Sequence, residues 1–312
     1  MHILVTGVTG FIGHAVSGHL SEAGHTVSGL SRDAEAARRA VPWLTSSFSW
    51  TPLTEDLPAE ALDGVDAVVH LLGEGIAGRW TAGKKQAISE SRIESTRRLV
   101  AAMARRETRP SVLISASAMG WYGERGDEEL VEAEPAGAGF LANVCQRWEA
   151  EAVAAEDLGV RVVRLRSANV MGQGGGFLGP MLPLFRWGLG GPLGSGRQWW
   201  PWIHLADHAR LISHLLTEPI SGPVNASAPE AVRQRDFAKA LGHVLHRPAV
   251  LPIPAFALNL LLGEFAHEAL VSQRMVPQRA LESGFQFEFA SLELALRDCA
   301  WRHEGMIEQG TY

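Results

Sequence analysis

Over the first 170 residues, short apolar runs alternate with longer stretches whose apolar positions recur every three to four residues. The runs at 2–6, 26–31, 46–50, 66–72, 110–116 and 160–166 predict buried strands, and 11–23, about 81–106 and 139–158 predict helices. This alternation implies βαβ units around a sheet of six parallel strands. Residues 171–196 break the rhythm, because Gly174-Gly175-Gly176 and Gly190-Gly191-Pro192 predict a mobile loop with a short helix at 181–186. Loops of this length in α/β enzymes often cover a site. Further on, Asp207 is placed to cap a helix ending at Thr217, and 234–245, 254–270 and 291–299 follow as helical patterns. The expected organisation is an α/β chain: a doubly wound parallel sheet over 1–170, with strands allowed from beyond 170; a loop and small C-terminal α/β lobe over 171–301; and a tail at 302–312.

Composition narrows the class. Hydrophobic residues make up 46% and charged residues 20% of 312, the balance of a chain with a packed core rather than a disordered one. With 28 Lys plus Arg against 34 Asp plus Glu, the net charge of -6 offers no basic field for nucleic acid. The longest apolar stretch, 251–263, contains two prolines and falls short of the roughly 20 residues of a membrane span. Met1 runs straight into Ile3-Leu4-Val5 without a basic leader, and Cys145 and Cys299 show no Cys-x-x-Cys spacing, so the expectation is a cytoplasmic protein with no metal site. The oligomeric state stays open, with a homodimer one option.

The chemistry begins with Thr6-Gly7-Val8-Thr9-Gly10-Phe11-Ile12-Gly13, which follows the first strand and opens the first helix. Gly7 permits the tight turn, Gly10 lets the backbone approach a pyrophosphate, and Gly13 allows close packing of helix on sheet, while the helix N-terminus offers N–H groups to the anion. The sheet is therefore expected to be Rossmann-like. The second strand ends in Ser31-Arg32, where NAD enzymes usually place a carboxylate for the ribose 2′-hydroxyl. An arginine suits a 2′-phosphate instead, so NADP(H) is the expected cofactor, although Asp33 could itself serve NAD. Leu71-Leu72-Gly73 closes the fourth strand, where a small residue lets the chain pass beneath the adenosine side.

Together with Gly75-Ile76-Ala77, Arg79-Trp80-Thr81, Ser91-Arg92-Ile93, Ser115-Ala116-Ser117-Ala118, Trp121-Tyr122-Gly123, Trp202-Ile203-His204 and Leu261-Leu262-Gly263-Glu264, these motifs resemble the extended short-chain dehydrogenase/reductases. The narrower resemblance is to the atypical branch called NAD-dependent epimerase family proteins, which carry a C-terminal domain of unknown function. It covers roughly residues 1–300. It implies a Rossmann-like fold, a small C-terminal substrate lobe and NADP(H) held by Gly7, Thr9, Gly10, Phe11, Ile12, Gly13, Ser31, Arg32, Leu71, Leu72, Gly73 and Ser115. It supplies no substrate.

The superfamily's Tyr-x-x-x-Lys pair, in which the lysine lowers the tyrosine pKa for proton transfer, is missing. Aligning Glu149 with the glutamate four residues past the family lysine puts Leu141 at the tyrosine and Cys145 at the lysine, and a one-residue shift gives Phe140 and Val144. Only three lysines (Lys84, Lys85, Lys239) and two tyrosines (Tyr122, Tyr312) exist in the chain. Tyr122 is then the candidate proton donor near the nicotinamide, with Ser117 the candidate bond to the substrate oxygen. Arg166, Asn169, Arg197, Gln198, Trp202 and His204 are candidates for lining a substrate pocket by charge and stacking. Two functions are compatible with this set. One is an NADP(H)-dependent oxidoreductase or epimerase-like enzyme acting on a small carbonyl or hydroxyl compound. The other is an NADP(H)-binding sensor without turnover.

Overall fold

The computed structural model describes residues 1–301, so the expected tail at 302–312 lies outside the described residues. The first half of the chain runs β1 (His2–Thr6), α1 (Phe11–Glu22), β2 (Thr26–Ser31), α2 (Ala34–Ala40), β3 (Ser46–Ser49), β4 (Ala67–His70), α3 (Ala82–Ala104), β5 (Val112–Ala118), β6 (Glu129–Leu130) and α4 (Phe140–Val153). The second half runs β7 (Arg161–Ser167), β8 (Asn169–Gly172), β9 (Gly175–Gly176), α5 (Leu182–Arg186), β10 (Trp202–His204), α6 (Leu205–Thr217), β11 (Gly222–Ala226), α7 (Gln234–Val244), α8 (Ala255–Leu262), α9 (Phe265–Leu270), β12 (Arg274–Met275), α10 (Gln278–Glu282) and α11 (Leu292–Trp301).

Seven parallel strands form the main sheet in the order β11-β7-β5-β4-β1-β2-β3. The six expected strands are all present, and the seventh comes from beyond residue 170. The apolar runs read as strands because helices cover both faces of the sheet. Ile3 and Val5 pack with Val16 and Leu20 of α1 and Leu211 and Leu215 of α6. Leu4, between them, points to the other face with Leu99 and Met103 of α3 and Ala152 of α4. A second, smaller core joins Phe185 of α5, Phe237 and Leu241 of α7 and Leu296 of α11. It belongs to the C-terminal lobe, whose short strands β10-β8-β9 form a sheet of their own. No described helix is long and apolar enough to cross a membrane.

Three local expectations are corrected. The glycine-rich stretch after β7 is not a featureless loop: β8 and β9 pair as a hairpin, and a Cβ at Gly175 or Gly176 would meet the Phe11 ring at 2.5 and 2.8 Å. The glycines make room for that ring. The single helix expected over 254–270 is two, because Gly263 adopts φ +59 between α8 and α9. His204, not Asp207, caps α6, with Nδ1 accepting from the Ala206 N–H at 3.2 Å. Asp207 is fully buried in the first turn and accepts from the backbone of Glu288 and Phe289 and from Arg210.

Candidate active site

The glycine turn has the geometry its sequence requires. Gly7 sits at φ +67, where a side chain is strained, and a Cβ on Gly13 would lie 2.2 Å from the Gly7 carbonyl oxygen. No side chain caps the N-terminus of α1, and its first turn holds no carboxylate, so those N–H groups face outward unpartnered by side chains. Thr9 and Gly10 are exposed, while Phe11 and Ile12 turn partly inward and pack against the core. A Cβ on Gly7 would come 3.2 Å from Leu71 O, which places the Leu71-Leu72-Gly73 segment directly beside the turn. Beneath it, Thr6 Oγ1 accepts from Leu71 N–H and pairs with His70 Nδ1 at 2.8 Å, and His70 Nε2 pairs with Thr96 Oγ1. Burial pushes the His70 pKa down to about 4, so this link between β1, β4 and α3 is neutral. Ser115 is buried and its hydroxyl donates to the neighbouring Ala116 carbonyl at 3.4 Å.

At the end of β2, Ser31 is half-buried and Arg32 exposed, while Asp33 Oδ1 accepts from Ala36 N–H at 2.9 Å and caps α2. That bond ties one carboxylate oxygen to α2, while Arg32 faces outward. Glu74 lies within the field of Arg32 and Arg92. Its hydrogen bond from Lys84 is the first cause holding its carboxyl below the usual range.

The candidates for chemistry separate into different places. Tyr122, in the 3₁₀ turn after β5, is 0% exposed; its hydroxyl donates to Asn225 Oδ1 at 2.7 Å and accepts from Arg166 Nη1 at 3.1 Å. Burial, the largest cause, raises its pKa. Arg166 also donates from Nε and Nη2 to Glu149 at 2.8 and 3.1 Å and stacks on Trp121 at 3.9 Å. Ser117 donates to the same Glu149 at 2.7 Å. Ser117, Tyr122 and Arg166 are thus brought together, but as a closed network inside the protein rather than facing a cavity. A short-range reading of Trp121-Tyr122 could not show that Asn225, 103 residues later, closes over the phenol.

The remaining pocket candidates disperse. Asn169 donates to the Pro201 carbonyl, and Trp202 is buried with its indole on the Glu230 carbonyl. His204 lines a cavity on the α1–α6 side with Arg210 and Asp298, and burial lowers its pKa. Arg197 and Gln198 do line an open cavity of about 710 Å³, together with Glu124, Asp127 and Arg233. Asp127 and Arg233 pair at 2.8 Å there, and Arg233 stacks on Trp199 at 3.9 Å.

Glu124 also lines a second cavity, of about 410 Å³, against the start of α4. Leu141, at the register of the family tyrosine, forms part of its wall, with Gly120, Trp80, Lys85, Phe140, His267 and Glu268. Trp80 packs between Phe140 and Phe265 at centroid distances of 5.0 and 5.7 Å. Lys85 reaches across to Glu264 at 2.6 Å and lies 5.0 Å over the Phe140 ring. Burial raises the Glu268 carboxyl above its ordinary range, with His267 opposing. The sequence reading missed Lys85, His267 and Glu268 as chemistry. Its available signal was Lys84-Lys85, two of three lysines side by side at the start of a helix. Cys145, at the lysine register, is buried with a thiol pushed up to about 12, chiefly by burial, and is neither a charge nor a ready nucleophile. Among the described residues no group of three or more His, Cys, Asp or Glu could hold a metal ion.

The model of the NAD dependent epimerase/dehydratase family matches residues 3–227. The chain belongs to that family. A domain of unknown function, DUF1731, matches 253–299 and takes in α8 to α10 and most of α11. The Arabidopsis thaliana chloroplastic homolog of epimerase family protein SDR39U1 is 40% identical over 95% of this chain and 86% of its own length. The crystal structure of human epimerase family protein SDR39U1 with NADPH has a TM-score of 0.86 and 34% identity, covering 96% of this family member and 99% of that chain. A nucleoside-diphosphate sugar epimerase from Corynebacterium glutamicum has a TM-score of 0.76 and 31% identity, with all of this chain matching 62% of that one.

Proposed function

We propose that this epimerase-family protein is an NADP(H)-dependent oxidoreductase or epimerase-like enzyme acting on a small carbonyl or hydroxyl compound in the cytoplasm. The observation that carries the reading is the pairing of an uncapped glycine turn with an exposed Arg32 whose neighbour Asp33 is occupied as a helix cap. The likeness to a human relative crystallised with NADPH supports it. Two free, buried thiols fit a reducing compartment.

When bound, NADPH supplies a hydride. The chain's own part is to hold the pyrophosphate on the Gly7–Gly13 turn, to pair Arg32 with the 2′-phosphate, and to seat the substrate in the 410 Å³ cavity walled by Leu141. A leucine there exchanges no proton, and Tyr122 is closed off, so the proton is assigned to the cavity's own titratable groups. Glu268 is the best placed, since it lines the cavity and burial raises its carboxyl above the ordinary range, the direction that favours a proton donor. His267 beside it can return the proton.

Titration should show NADPH binding at least tenfold tighter than NADH, a margin of about 1.4 kcal/mol, and Arg32→Ala should erase it. Equal affinities in the unmodified protein would remove the NADP(H) assignment. The loss of the Tyr-x-x-x-Lys pair and the closure of Tyr122 favour the sensor as the second reading. Tight NADPH binding with no oxidation of it across a broad carbonyl screen would select that one.

A further inference from the structure

We propose that Arg92, a cation beside the register of the family's missing lysine, donates from Nε and Nη2 to the nicotinamide-side ribose of the dinucleotide. This rests on the dinucleotide-binding reading above.

The family lysine belongs to the helix after the fifth strand, and its register here is Cys145, a buried neutral thiol. A cation is nevertheless present beside it, sent from the neighbouring helix. Arg92 stands on α3, which packs along α4, and its charge acts on the Cys145 thiol. Its guanidinium lies 5.3 Å over the ring of Trp148, a residue one helical turn past Cys145. A stacked arginine keeps its charge under burial where a lysine readily loses it, which suits a cation entering this site from α3 rather than α4.

The guanidinium is held at one corner only. Nη1 donates to the carbonyls of Glu74 and Ile88 at 2.9 and 3.1 Å, and Nε and Nη2 make no hydrogen bond to described residues. Beside them the chain is cut back to nothing: a Cβ on Gly73 would come 3.0 Å from Arg92 Cζ and 3.2 Å from Nη2. Gly73 is exposed and closes the Leu71-Leu72-Gly73 segment that flanks the glycine turn. The missing side chain therefore leaves the guanidinium uncovered where it passes Gly73, and Nε and Nη2 there are two N–H donors at a spacing that suits vicinal hydroxyls. Arg32 and Arg92 both act on Glu74 in the segment after β4, and Arg92 Nη1 donates to its carbonyl at 2.9 Å.

The test compares NADPH with adenosine 2′,5′-bisphosphate, which carries the 2′-phosphate and adenine but no nicotinamide ribose. Arg92→Gln retains an amide donor for the Glu74 carbonyl and removes the charge. It should weaken NADPH at least tenfold while leaving the bisphosphate within twofold, and Arg92→Lys should recover most of the NADPH loss. A purely structural Arg92 would weaken both ligands together or neither, and either result overturns the proposal, as would failure of the lysine variant to recover any affinity. Should Arg92→Gln prove unfolded, Arg92→Met, whose apolar stem still covers Trp148, takes its place: NADPH weakened at least tenfold with the bisphosphate within twofold supports the proposal, and any smaller separation of the two ligands overturns it. Absence of NADPH binding by the parent itself would overturn both this inference and the dinucleotide reading, whereas tight parental binding with an indifferent Arg92→Gln removes Arg92 alone.

Discussion

Two polar clusters lie on either side of the turn that follows β5, and they are built to opposite ends. Behind it, Ser117, Tyr122, Glu149, Arg166 and Asn225 satisfy one another at 2.7 to 3.1 Å with almost no exposure. In front of it, Lys85, His267 and Glu268 line a cavity walled by Trp80, Phe140 and Leu141. The rear cluster has no donor or acceptor to spare for a substrate; in front, polar groups face space. A buried network that spends all its bonds internally fixes a shape, and chemistry is left to the groups beside it whose partners are incomplete.

The sharpest way to break this contrast is Arg166→Ala. It strips Glu149 of its bidentate partner in the interior, and the expected loss is about 3–5 kcal/mol of unfolding free energy in urea. A loss below about 1 kcal/mol would mean that the network is not the anchor its geometry indicates. Acid tests the same interior through His70. Its folded pKa of about 4 lies below the ordinary 6.5, so the unfolded chain takes up the proton first; the stability His70 contributes is present above pH 6.5 and is lost as pH falls toward 4. His70→Gln should therefore remove about 2 kcal/mol of whatever the parent loses between pH 7 and pH 5. Tyr122→Phe leaves Asn225 Oδ1 without its donor and should cost about 1–3 kcal/mol, with NADPH affinity unchanged. A variant that keeps its stability but loses turnover would return Tyr122 to the chemistry. Glu268→Gln should change stability least, by about 0.5 kcal/mol or less, since no ion pair is broken, and should abolish carbonyl reduction. Because burial raises this carboxyl, the parent should lose a little stability as pH rises from about 4.5, and the glutamine variant should not.

What the sequence disclosed follows from how locally each feature is encoded. Strand 2–6 announces itself through Ile3-Leu4-Val5, buried under helices on both faces, while 26–31 and 160–166 are marked by Val27 and Leu30 and by Val160, Val162, Val163 and Leu165 set among polar positions. β11, Gly222–Ala226, carries a proline and a buried asparagine in five residues, and no apolar run marks it as the seventh strand. The glycine turn is legible for the reason β1 is: Gly10 and Gly13 close on Gly7 within six residues, although Gly7 itself packs on Leu71. Cavity and network are not, since α9 meets the start of α4 across more than 120 positions and Asn225 meets Tyr122 across 103. Leu141 and Cys145 marked where the usual groups are absent, but a vacancy in a motif does not say which distant side chain stands nearby.

The ring of Phe11 gives the glycines of the β8–β9 hairpin a meaning that their composition conceals. Gly172, Gly175 and Gly176 would each bring a Cβ to within 3.3 Å of that ring, so the three positions are a mould cast around one side chain of the nucleotide turn, not a supple hinge. At Gly172 and Gly176 a side chain would also meet the Leu205 Cβ at 2.8 Å and the Val170 carbonyl at 2.3 Å, so those two glycines are fixed whatever residue 11 is. Gly175 meets Phe11 alone, and a methyl group gained there is tolerable only in a lineage that has already trimmed residue 11. At this one contact the glycine turn after β1 and the hairpin after β7 are obliged to change together.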